Sequence, residues 1–142
     1  MTNKEKKELF IALCGYYPYG VICHDTDPND QNWSKDGKLK AIKPVPSDCN
    51  GLPYLFDIEG MSSLSDICEI KPYLRPMESM TEEEKYIWHS KMKYVGYFIN
   101  YKYYDTVDSF DYLNSIHVDY RGLIPKGLAL PAKEGMYKAR ED

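Results

Sequence analysis

The sequence predicts an α+β protein, with a small antiparallel sheet or partly closed barrel in the first half that is packed by helices from the second half. Two observations carry this. β-prone segments collect before Pro76, while the strongest helix signals follow Met80. The regular alternation of strand and helix that a parallel α/β sheet requires is missing. With 142 residues, no internal repeat and no shift in composition, the chain reads as one domain over residues 1–142. A domain of this size buries roughly two thirds of the surface its unfolded chain exposes, so one ordinary core suffices.

The elements follow in order. From Lys4 to Cys14, Leu9, Phe10 and Leu13 recur at helical spacing among Lys and Glu, with Gly15 as the expected stop. Pro18-Tyr19-Gly20 turns the chain into a first strand at Val21-Ile22-Cys23, which the turn formers from Asp25 to Asp30 end. Leu39 to Val45 is a second strand, entered through Asp36-Gly37, a pair that favours a tight hairpin turn. Pro46 to Pro53 reads as a loop, and Tyr54 to Ile58 as a third strand closed by Gly60. Ile67 to Leu74 is a fourth, confined by Pro72 and Pro76 to an edge or to its ends.

The clearest boundary is Thr81 followed by Glu82-Glu83-Glu84, an N-cap with a glutamate three residues on and carboxylates at the positive end of a helix dipole. Trp88, Met92, Val95 and Ile99, widened by Ile87, Tyr94 and Phe98, predict a buried stripe on that helix. Tyr97 to Tyr104 is aromatic enough to be a strand instead. Asp108 and Ser109 are read as the cap of a shorter helix through Ile116, before a segment punctuated by glycine and proline up to Leu128.

Composition excludes several function classes. The net charge of −4 gives no field toward a phosphate backbone, so general nucleic-acid binding is disfavoured. No window approaches the roughly 20 apolar residues that span a bilayer, and the apolar stretch from Leu9 to Cys14 is too short for a secretory signal. The expectation is a cytoplasmic protein whose four cysteines, Cys14, Cys23, Cys49 and Cys68, are buried free thiols. Their spacing contains no C-x-x-C pair, and phosphate loops, G-x-S-x-G and H-E-x-x-H are missing, so no cofactor or metal is expected.

Individual residues suggest chemistry, each beside a plainer reading. Asp25, Asp27, Asn29 and Asp30 resemble the start of a calcium loop, but Asp30 stands where the loop needs glycine and Asp36 where it needs glutamate. A solvated turn accounts for them. His24 beside Asp25, and His117 two residues before Asp119, would suit a base and its orienter in a small hydrolase. For His117 a helix C-terminus supplies the plainer account, and His89 reads as a flank of the Trp88 face. Lys38, Lys40 and Lys43, with Lys35, form a basic stripe that Lys71 and Arg75 extend if the strands pair. Such a stripe serves a nucleotide or nucleic-acid site, or protects a strand edge.

The outlier in composition is tyrosine, with 14 copies. Aromatic anchors dominate interface energies, so the leading expectation is a non-enzymatic protein-interaction module presenting Tyr101, Tyr103, Tyr104, Tyr112 and Tyr120 to a protein partner or to a second copy of itself. Core packing is the competing reading for each tyrosine.

Two segments carry a resemblance: Ile70-Lys71-Pro72-Tyr73-Leu74-Arg75-Pro76 running on through Ser79-Met80-Thr81 to Glu84, and Asp111 to Asn114 with His117 to Ala129, containing Asp119-Tyr120-Arg121-Gly122-Leu123-Ile124-Pro125-Lys126-Gly127-Leu128. With Tyr17-Pro18-Tyr19-Gly20-Val21, they resemble a group of small proteins associated with gut anaerobic bacteria and their phages or mobile elements. The resemblance covers roughly a quarter of the chain. It implies a cytoplasmic, phage-linked accessory protein, with an anti-defence role under the nucleic-acid reading, and it brings no catalytic residues.

Overall fold

In a computed structural model of the chain, the described residues are 1–27, 30–92 and 102–137, of which 27, 30–33 and 102–106 are described by backbone alone. Thr2 opens helix α1 (Asn3–Tyr16) with a reciprocal capping box, its hydroxyl accepting from the Glu5 amide while the Glu5 carboxylate accepts from the Thr2 amide. The helix runs through Gly15 and ends one residue later, in a 3-10 turn over Tyr17–Tyr19 that Gly20 closes at φ 72°. Gly15 is retained for closeness: a β-carbon there would lie 3.2 Å from the Asn114 side chain.

The strands are β1 (Ile22–Asp27), β2 (Asp30–Cys49), β3 (Leu52–Ile58), β4 (Ile70–Leu74) and β5 (Leu130–Pro131). They form one open sheet of order β3-β2-β1-β4-β5, antiparallel except for the β4–β5 pair. This is an α+β fold with a mixed, unclosed sheet. The long strand β2 serves two hairpins, pairing with β1 through its first half and with β3 through its second.

The turn chemistry departs from expectation. Asp36-Gly37 lies mid-strand, opposite His24 and Cys23, whereas the β2–β3 reversal is Asn50-Gly51, at φ 57° and 94°. Two successive left-handed residues suit the twist of a tight hairpin, and Asn-Gly supplies them at least cost. Pro72 falls on a non-hydrogen-bonded pair: the Thr26 amide bonds the Glu69 carbonyl, so pairing alternates to His24–Lys71 and skips Cys23–Pro72. Its missing amide would face the β5 side, where pairing begins only at Tyr73, so the proline costs the sheet no ladder bond.

One face of the sheet is apolar. Cys23, Leu39, Phe56, Ile58, Ile70 and Leu74 pack there against Leu9, Leu13 and Tyr16 of α1. The Tyr16 hydroxyl donates to the Val118 carbonyl at 2.5 Å, anchoring α1 to the C-terminal third.

Helices α2 (Glu82–Met92) and α3 (Lys102–Ser115) pack against each other beside this core, where Met80, Leu113 and Val118 form a second apolar cluster flanked by Trp88. Thr81 caps α2 as expected, bonded both ways to Glu84. The buried stripe is only partly matched. Trp88 and Ile87 are half-buried, Met92 is exposed, and Tyr94, Val95, Phe98 and Ile99 lie outside the described residues. Lys102 to Tyr104 is helical rather than extended, so Asp108 and Ser109 stand inside α3 instead of capping it. Ser109 is buried there.

All four cysteines are free, but only Cys23 is buried; Cys14 and Cys68 are exposed. Among the described residues no helix is long and apolar enough to cross a membrane.

Candidate functional site

Strand alternation sends Cys23 and Asp25 to the packed face and Ile22, His24 and Thr26 to the opposite, outer face. Residues paired across a ladder share a face, so Lys38 opposite Ile22, Asp36 and Lys71 opposite His24, and Ser34 opposite Thr26 all stand on that outer face. Asp25 thus cannot orient His24. Asp36 does, from the facing strand: His24 Nδ1 lies 2.8 Å from Asp36 Oδ1, and because a carboxylate only accepts, that nitrogen carries the proton.

Two more groups complete the cluster. The Tyr73 hydroxyl donates to Asp36 Oδ1 at 2.9 Å and lies 3.4 Å from His24 Nδ1. Lys133, from the segment after β5, donates to Asp36 Oδ2 at 2.9 Å and holds its ammonium 5.2 Å above the Tyr73 ring. Partial burial pushes the Asp36 carboxyl up, but the hydrogen bonds from His24, Lys133 and Tyr73 outweigh it and hold the group below the usual carboxylate range. Burial and the Asp36 carboxylate raise the Tyr73 phenol in turn. Tyr137 fastens the same segment, bonding the Ile22 amide at 2.9 Å and the Tyr73 carbonyl at 2.7 Å while its ring stacks 3.8 Å from His117. Replacing Tyr73 by phenylalanine is expected to cost about 1 kcal/mol in chemical denaturation, the usual net worth of one such hydrogen bond.

Beside the cluster runs an open groove of about 710 Å³, walled by Lys35, Lys38, Glu59 and Lys133 with Ile22 and Met136 as its apolar part. Lys38, Lys40 and Lys71 are exposed, and none has an ion-pair partner among the described residues. Lys43 stands 4.0 Å from Asp57 on β3.

Arg75 does not belong to this face. Its guanidinium grips Glu84 through two bonds of 2.8 and 2.7 Å and also donates to the Ser79 and Ile116 carbonyls, fixing the start of α2. Among the tyrosines, Tyr120 bonds Asn114 and packs against Tyr16 and Phe110, and Tyr112 is half-buried with Lys91 5.9 Å above its ring. Tyr101 and the side chains of Tyr103 and Tyr104 lie outside the described residues.

The remaining candidates resolve into packing. His117, at φ 59°, places Nε2 2.7 Å from the Tyr19 carbonyl, while Asp119 caps the Leu123 and Ile124 amides at 2.8 and 2.9 Å instead of orienting it. The calcium-loop pattern fails because Asp25 and Asp36 occupy opposite faces of the hairpin, and no group of metal-ligating side chains converges among the described residues. His89 is exposed beside Trp88. No serine, threonine or cysteine among the described residues hydrogen-bonds His24, so the relay of a nucleophilic hydrolase is not assembled there.

No protein-family model matches the chain, and no curated protein or solved structure matches it either.

Proposed function

We propose that this protein is a non-enzymatic binding module that takes an acidic segment of a partner protein across the outer face of its sheet. The observation that carries this is the set of exposed lysines without ion-pair partners among the described residues, Lys38, Lys40 and Lys71, in a chain whose net charge is −4. Lys38 and Lys71 flank the His24–Asp36–Tyr73 cluster from strands separated by β1. Two strand spacings and a two-residue offset put their backbones roughly 12 Å apart, about the distance between side chains four residues apart in an extended segment. Asp36, Asp57 and Glu59 lie among these lysines, which suits a partner of mixed charge and opposes a continuous phosphate backbone.

The test is titration with polyglutamate and, in parallel, with single-stranded oligothymidylate. The reading predicts salt-sensitive binding of polyglutamate that the Lys38→Glu, Lys71→Glu double variant weakens on the order of tenfold without loss of thermal stability. Tighter binding of the oligonucleotide would overturn it in favour of a nucleic-acid site, and failure of both polymers to bind at low salt would overturn it outright.

A further inference from the structure

The tip of the β2–β3 hairpin carries chemistry that the docking face does not use. Of the six asparagines in the chain, Asn50 alone precedes a glycine. A backbone amide nitrogen can attack the side-chain carbonyl carbon of the asparagine before it, closing a small ring, and glycine leaves that approach open because it has no side chain. The dipeptide alone does not decide the matter, since Asp36-Gly37 offers the same ring. There Gly37 is clamped in mid-strand against the Glu59 carbonyl, and the Asp36 carboxylate is held by His24, Tyr73 and Lys133. Asn50 and Gly51 are exposed and form the turn itself, at φ 57° and 94°.

Two carboxylates address this turn. Asp48 Oδ1 accepts the Gly51 amide at 2.6 Å, so the nitrogen that would attack already shares its proton with a base. Lys6 of α1 stands beside the same turn, its ammonium 3.6 Å from where a Gly51 β-carbon would lie. On the other side, Asp66 Oδ2 accepts the Asn50 side-chain amide at 3.0 Å, while Asp66 Oδ1 accepts the Cys68 amide at 2.8 Å. This bond is also mechanical. Asp66 lies in the connection from β3 to β4, next to Ser65, whose amide and carbonyl pair with those of Phe56 at 2.9 and 2.8 Å. Asn50 thus pins that connection to the hairpin tip.

We propose that Asn50 is a site of spontaneous deamidation, with Asp48 as the base, and that its product unfastens the connection between β3 and β4. The Gly51 nitrogen bonds to the Asn50 side-chain carbonyl carbon as its proton passes to Asp48. The bond from that carbon to Nδ2 then breaks, and the proton goes to the departing nitrogen, which leaves as ammonia. The Lys6 ammonium offsets the negative charge that builds at the turn as the ring closes. Water opens the resulting succinimide, giving aspartate where it adds at the former side-chain carbon and isoaspartate where it adds at the backbone carbonyl carbon. Either product puts a carboxylate where a donor stood. Two ionised carboxylates can only accept, and they repel, so Asp66 loses its bond to the hairpin tip.

The experiment is incubation of the intact protein at neutral pH, with peptide mapping by mass spectrometry to score replacement of each asparagine amide by a carboxyl. The expected result is conversion at Asn50 ahead of every other asparagine, no slower than in the urea-unfolded chain. The Asp48→Asn variant keeps an acceptor oxygen for the Gly51 amide but removes the base, and should slow conversion on the order of tenfold. Hydrogen-exchange protection of the Ser65 amide should fall on the order of tenfold in the converted protein and in Asn50→Asp alike. A folded protein that spares Asn50 while the unfolded chain converts, or an Asp48→Asn rate equal to the parent's, would overturn the assignment of the site. Unchanged Ser65 protection in Asn50→Asp would overturn the unfastening. No readout here involves an acidic partner, so failure of the docking face leaves this test intact.

Discussion

Alanine at Gly37 is expected to destabilise the protein by at least about 2 kcal/mol, visible as a lowered midpoint in urea with little change in slope. Gly37 sits mid-strand in β2 with a negative φ, so backbone freedom is not what requires glycine there. The requirement is closeness. A β-carbon would be driven into the carbonyl oxygen of Glu59 and to 2.8 Å from the Ile58 Cγ2. The carbonyl belongs to backbone held by the Glu59 amide bond to the Lys38 carbonyl at 2.9 Å, and Ile58 is wholly buried, so neither can yield cheaply. A valine should do more damage than alanine, because its branches meet the same wall. If alanine is tolerated with no loss of stability, the close crossing of β2 over the end of β3 is wrong.

The second large effect falls on Arg75. Its replacement by alanine is expected to cost about 2–3 kcal/mol, since it removes two charge-assisted bonds to Glu84 and leaves that carboxylate and the Ser79 and Ile116 carbonyls without their donor. Both side chains of the pair are about four-fifths buried, with 21% and 18% of their surface exposed, so water compensates poorly. The Glu84→Gln variant separates charge from shape: it keeps a bonding group at the cap and should recover part of the loss. The pH dependence has a definite sign. Arg75 holds the Glu84 carboxyl below its ordinary value near 4.5, so this contribution is present above that value and disappears as pH falls through the lowered one.

These two residues also show which parts of the fold can be read from sequence. Thr81 with Glu84 announces the start of α2 because capping is local chemistry, completed within three residues. Tyr54 to Ile58 reads as a strand for the same reason. Gly37 does not declare itself: Asp-Gly is turn chemistry wherever backbone freedom decides, and here the decisive contact is with Glu59, across the next hairpin. The true reversal, Asn50-Gly51, is obscured by Pro46 and Pro53, which make the whole stretch resemble an irregular loop. Arg75 reads as one more cation in a lysine stripe until Glu84 is placed against it.

The candidate site divides in the same way. His24 is recognisable as a residue of interest, and the exclusion of its neighbour Asp25 is available from sequence, since adjacent residues of a strand face opposite ways. Its actual partner, Asp36, lies 12 residues on and follows only from the register of the β1–β2 hairpin. Tyr73 and Lys133 reach Asp36 from 37 and 97 residues away, through a strand order that no local pattern specifies. Pairing the strands does bring Lys38 and Lys71 onto one face, while Arg75 turns away to Glu84.

The most direct test of the docking face is NMR shift mapping of the protein during addition of polyglutamate at low ionic strength. The account predicts that the amides of His24, Asp36, Lys38 and Lys71 shift together and return when salt is added, while those of α1 stay in place. Shifts concentrated on α2 and α3 around Tyr112 and Tyr120, with the sheet unmoved, would contradict it.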